Sequence, residues 1–126
     1  MLNESESEEY FYNALCNGLK ELCHYNGLLI YYDALEYSRA KEKLLRNEDV
    51  VCFEDVLMEI LRSGGKLTIL DEEGGYYTRS IELKDVHERV QKTKPSHLMD
   101  MIEERDDAIT ADVILQSVFF KDIIFG

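Results

Sequence analysis

Lys66-Leu67-Thr68-Ile69-Leu70, Asp71-Glu72-Glu73-Gly74-Gly75 and Tyr76-Tyr77-Thr78-Arg79-Ser80-Ile81-Glu82-Leu83 follow one another without interruption. Two short β-prone runs enclose a polar loop with two glycines, which is the pattern of a β-hairpin. The stretch decides between an all-helical fold and a mixed one. An isolated hairpin is only marginally stable in water. It must therefore lie on helices or pair with a further strand, and Leu28–Tyr32 and the C-terminal tail are the two candidates.

Upstream of the hairpin the apolar spacing is helical. Phe11, Leu15, Leu19 and Leu22, with a second row of Tyr12, Cys16 and Cys23, predict a long helix over about Glu8–His24 with a wide buried stripe. Gly18 inside it costs about 1 kcal/mol against alanine, so another element is expected to pack closely there. Asn26-Gly27 supplies a left-handed stop. Asp33 and Glu36 read as a capping box, flanked by Tyr32 and Tyr37 as a staple, for a helix reaching about Arg46. A third helix is predicted over Phe53–Arg62, with Glu54 and Asp55 at its positive end and Gly64-Gly65 behind it.

Downstream of the hairpin, Asp85 and Glu88 are placed to cap a short helix to about Lys92. Pro95 opens another over about Ser96–Arg105, and Thr110 caps a last one carrying Val113, Ile114, Leu115, Val118, Phe119 and Phe120. The reading is therefore α+β and mostly helical, with five to six helices and one β-hairpin at about 66–83 packed on them. Residues 1–7 read as a flexible acidic tail and 8–126 as a single globular domain without linker or repeat.

The chain has 126 residues, 14 Lys+Arg and 26 Asp+Glu, for a net charge of −12, and 45% of it is hydrophobic. That length buries enough surface to hold a core without metal or disulfide. The longest apolar run, Leu28–Tyr32, is far shorter than the roughly 18 residues of a membrane span, and the acidic start lacks the basic and apolar regions of a secretory signal. An odd set of three cysteines, Cys16, Cys23 and Cys52, fits a reducing compartment and predicts free thiols. These features together read as a cytoplasmic protein. Cys52, between Val51 and Phe53, is expected in apolar surroundings that disfavour its thiolate.

Both halves of the chain are acidic, so nonspecific nucleic-acid binding is not expected. One strip, Arg79, Lys84, Arg89, Lys92 and Lys94, is locally basic; it is either a docking strip for an anion or an ordinary solvated face. No catalytic or cofactor motif is present. Ser63-Gly64-Gly65-Lys66 lacks the phosphate-loop pattern, and His24, His87 and His97 match no zinc spacing. The strongest chemical candidate is the cluster His97–Asp112, in which His97, Asp100 and Glu104 stand at helical spacing suited to a divalent cation, with Glu103, Asp106, Asp107 and Asp112 nearby.

The least ordinary feature is the apolar C-terminus. Phe119, Phe120, Ile123, Ile124 and Phe125 must be covered, either by the chain's own core or by a second copy at a homodimer interface. The functional expectation is a small acidic, noncatalytic protein-interaction or regulatory module, dimeric through this tail and suited to a basic protein partner. Two alternatives stand beside it: a metal-dependent enzyme built on His97–Asp112, and a nucleic-acid mimic that inhibits a basic partner.

Overall fold

In the computed structural model, which describes residues 1–126, the hairpin forms as β2 (Leu67–Asp71) and β3 (Arg79–Ile81). They are antiparallel, with Leu67 opposite Ile81 and Ile69 opposite Arg79. The second strand is shorter than the sequence predicts because Asp71 organises the connection. Its carboxylate accepts from the Glu73 and Tyr77 N–H groups at 3.0 and 3.1 Å, and Thr78 Oγ1 accepts from the Asp71 N–H at 3.0 Å. Of the two candidates for a further strand, the apolar run supplies it. β1 (Leu28–Tyr31) pairs antiparallel with β2, Leu28 opposite Asp71 and Tyr31 opposite Thr68. The order β1-β2-β3 leaves β1 on an edge.

The helices α1 (Glu4–Asn26) and α6 (Ala108–Phe120) form the central pair. α1 starts four residues earlier than its apolar spacing predicts. Asn3 accepts from the Glu6 N–H at 2.8 Å while the Glu6 carboxylate accepts from the Asn3 N–H at 3.0 Å, and Ser7 is fully buried. Residues 4–7, expected as part of a tail, are thus the first turns of a capped helix. Gly27, at φ 64°, ends it in the left-handed region. The close approach expected at Gly18 is present: a β-carbon there would lie 2.8 Å from Ala111 Cβ. α6 is buried around most of its circumference, from Thr110 to Phe119, and Phe119 meets Phe11 of α1 with ring centroids 6.1 Å apart.

The other helices dress this pair and the sheet. α2 (Ala34–Leu45) begins where Asp33 accepts from the Leu35 and Glu36 N–H groups, both at 2.9 Å, and Tyr32 stacks on Tyr37 at 4.8 Å. α3 (Phe53–Arg62) has the predicted bounds and closes through Gly65 N–H to Ile60 O at 2.8 Å. α4 (Leu83–Arg89), continued by one 3₁₀ turn, starts before Asp85 because Asp85 reaches back to the Glu82 N–H at 2.8 Å. α5 (Pro95–Ile102) stops short of Arg105, since Glu104 turns left-handed at φ 58° and the Arg105 N–H bonds Asp100 O at 2.7 Å. Asp107 rather than Thr110 caps α6, accepting from the Thr110 N–H at 2.9 Å. No helix is long and apolar enough to cross a membrane.

Candidate functional site

The acidic cluster does not converge. His97 Nδ1 faces Thr110 Oγ1 at 3.4 Å, Asp100 lies 3.6 Å from Arg105, and Glu104 sits in the left-handed turn that ends α5. Asp106 accepts from Asn17 of α1 at 3.1 Å, Asp107 caps α6, and Asp112 accepts from Gln116 at 2.8 Å. No three His, Cys, Asp or Glu side chains anywhere in the chain are grouped to hold a metal ion. These neighbouring acids point to different partners, Asp107 to a backbone N–H and Asp100, Asp106 and Asp112 to the side chains of Arg105, Asn17 and Gln116. Four of the five residues of the basic strip, all but Lys94, are likewise occupied locally. Arg79 donates to Tyr76 O and Thr78 O, Lys84 pairs with Glu82, Arg89 with Asp85 and Lys92 with Glu88.

The C-terminal tail folds against its own chain. Buried Gln116 accepts from the Ile124 and Phe125 N–H groups at 2.8 and 2.9 Å and donates to Phe125 O at 3.0 Å. Phe125 packs edge-on to Tyr77 and Phe120, at 5.2 and 5.7 Å. Phe119 is buried, Phe120 and Phe125 are half-buried, and only Ile123 and Ile124 stay exposed. Three of the five expected interface residues are therefore turned into the protein's own core.

A polar cluster that the sequence concealed ties three helices together. Glu8 of α1 accepts from Arg62 of α3 at 2.7 Å and meets His87 Nε2 of α4 at 2.7 Å. Burial pushes the Glu8 carboxyl up, yet the bonds from Arg62 and His87 outweigh it and hold the group below the ordinary glutamate value. His87 Nδ1 faces Glu4 at 3.3 Å, so both ring nitrogens are engaged. The cluster is a clamp, and its members lie 54 and 79 residues apart in sequence.

An apolar groove lies along the adjoining side of α1. Leu15, Leu19 and Cys23 from α1, Ile30 from β1 and Phe53 from the start of α3 line a groove of about 420 Å³, rimmed by Lys20, Glu21 and Glu54. Phe53 is fixed by aromatic contacts with Tyr32 and Tyr37 at 5.8 and 6.1 Å. Burial pushes the Cys23 thiol up to about 11, so it acts here as a small apolar wall. One turn before Cys16 on α1, the Tyr12 hydroxyl lies 3.6 Å from Cys52 Sγ. Cys52 is exposed at the start of α3 instead of lying among apolar residues as expected. Asp55 and Cys52 hydrogen-bond the Tyr12 hydroxyl and, with burial, raise its pKa. Burial foremost, joined by Glu54, Cys52 and Asp55, also raises Cys16 against the opposing bond from Tyr12. Neither group is activated as a nucleophile. What the groove presents is apolar area beside a strand edge, with acids around it.

Comparison with protein-family models, with curated proteins and with solved structures yields no match, so the functional reading rests on this geometry alone.

Proposed function

We propose that this chain is a noncatalytic protein-interaction module and that the groove between α1, β1 and α3 is its binding surface. The observation that carries this reading is the concentration of accessible apolar area there. Leu29 and Phe53, 49% and 36% exposed, line the groove, and Tyr31, 54% exposed, follows on the same strand as Leu29. Exposed apolar groups grouped around a concave site are what a partner's side chains bury. The net charge of −12 favours a basic partner by long-range attraction. A homodimer through the tail would have only Ile123 and Ile124 as large exposed contacts there, so the groove is the better candidate.

The test is selection from a displayed library of random peptides, run on the protein and on the variant Cys16→Trp. Cys16 is exposed and lines the groove, so an indole at that position fills it from the rim. The expected result is an enriched set of peptides that the variant fails to bind. No enrichment, or peptides that bind both proteins equally, would overturn the reading.

A further inference from the structure

We infer that the groove takes its partner as a fourth strand: an extended segment of alternating apolar and basic residues, hydrogen-bonded to the free edge of β1. This rests on the groove being the interaction surface and adds the backbone form and the charge of what binds there. The first argument is the edge itself. The Glu72 N–H bonds Gly27 O at 3.2 Å, which with Leu28 opposite Asp71 places Leu29 and Tyr31 in the hydrogen-bonded pairs of the β1–β2 ladder. By the alternation of an antiparallel ladder, the N–H and C=O groups of Leu28 and Ile30 then point away from β2; Leu28 is only 4% exposed, so the open part of the edge is that of Ile30. No backbone or side-chain group of the chain bonds them. Edge strands are ordinarily blunted by a lysine, a proline, a bulge or short length; Leu28-Leu29-Ile30-Tyr31 has only the last of these.

The second argument is what lies beyond the edge. Successive side chains of an added strand point to opposite faces, so every second one would turn toward α1. The cavity lined by Leu15, Leu19, Cys23 and Phe53 lies beside Ile30 and takes such apolar side chains. A helix laid in the same groove would leave the edge groups of Ile30 without partners.

The third argument is charge, and it selects the occupant. Glu21 and Glu54 rim the groove, Asp33 follows β1, and Glu73 lies beside Gly27 at its other end, within 3.2 Å of where a glycine β-carbon would be. None of these four carboxylates has an ion-pair partner; the salt bridges of the chain lie elsewhere. Lys20 is the single cation on the rim. A second copy of this chain would bring another −12 against these acids, while a segment with basic residues on its outer face would meet them favourably.

The test uses the intact protein and the heptapeptide acetyl-KVKIKVK-amide, its acidic twin acetyl-EVEIEVE-amide, and two N-methylated forms of the basic peptide modified on alternate residues. Binding is measured by calorimetry and located by amide chemical shifts. The basic peptide is expected to bind at least about tenfold more tightly than the acidic one, with shifts centred on residues 28–31. One N-methylated form should lose about tenfold or more in affinity while the other stays within about threefold, because only one set of amides faces β1. Ile30→Pro should lose binding to a similar degree; its unfolding midpoint should fall by the loss of the half-buried Ile30 side chain, while the β1–β2 ladder stays intact because the missing N–H faces away from β2. Should that variant fail to fold, the two N-methylated forms still decide.

Equal loss from both methylation sets, equal binding of the acidic twin, or shifts away from β1 would overturn the strand. A doubled mass of the free protein that reverts in Ile30→Pro would assign the edge to a second copy and overturn it as well. Peptides that Cys16→Trp blocks but whose alternate methylations act alike would sink the strand and leave the interaction reading standing. A library that yields no groove-dependent peptide would sink that reading itself.

Discussion

Along one side of α1, Phe11 and Gly18 press against Phe119 and Ala111 of α6, with no room for a single added carbon at Gly18. Along the adjoining side, Leu15, Cys16, Leu19 and Cys23 border a groove, and Cys16 is exposed. Both faces carry apolar residues at helical spacing. What separates them is the element across from each, a thirteen-residue buried helix on one side and a four-residue edge strand with the start of α3 on the other. Stability therefore belongs to the first face, and the surface available to a partner belongs to the second.

The contrast can be broken most forcefully at the α1–α6 seam. Phe119→Ala removes a ring that is 1% exposed and is expected to cost about 3–5 kcal/mol in urea unfolding, as for other large core truncations. Gly18→Val is expected to cost about 2–3 kcal/mol by overpacking, because its β-carbon would meet Ala111 Cβ at 2.8 Å and the Asp112 backbone nitrogen at 3.2 Å. A variant at either position as stable as the parent would remove the distinction between the faces. Gln116→Leu strands the Ile124 and Phe125 N–H groups that Gln116 holds. It should cost about 1–3 kcal/mol and make the chain end more sensitive to limited proteolysis.

The groove face sharpens the contrast from below. Leu29→Thr and Tyr31→Thr change exposed side chains on a strand and are expected to shift stability by no more than about 0.5 kcal/mol while weakening groove-dependent peptides. The smallest effect is one of pH. Burial raises the pKa of Asp112 above the ordinary aspartate value, against the pull of its bond to Gln116. The folded state thus favours the protonated carboxyl, and the stability this contributes at acid pH is lost as pH rises through the raised pKa. Asp112→Asn should be more stable relative to the parent at neutral pH than at a pH below the ordinary aspartate value. A difference independent of pH would contradict the assignment.

Local signals were legible wherever a helix end carries its own chemistry. Asp33 and the Gly64-Gly65 pair place α2 and α3, and Gly18 announces the close contact with α6. The hairpin was readable because its loop is polar and glycine-bearing, but its pairing with β1 depends on residues about 40 positions apart. Acidic residues were misleading. Asp107 caps α6 in place of Thr110, Asp85 starts α4 earlier than expected, and the acids after His97 bind separate backbone and side-chain groups instead of one ion. The groove was hidden for a related reason. Tyr12, Cys16 and Cys23 read as a second buried row, and nothing local reveals that Phe53 would stand opposite Cys16 and Cys23 with a gap between.

Amide hydrogen exchange at Ile30, measured residue by residue by NMR in the free protein and with acetyl-KVKIKVK-amide added, tests the central claim most directly. The free edge requires the Ile30 N–H to exchange faster than those of Leu29 and Tyr31, which the ladder with β2 protects, and to slow markedly when the peptide binds. An Ile30 amide as protected as its neighbours before any peptide is added, or unchanged when the peptide is bound, would contradict the account.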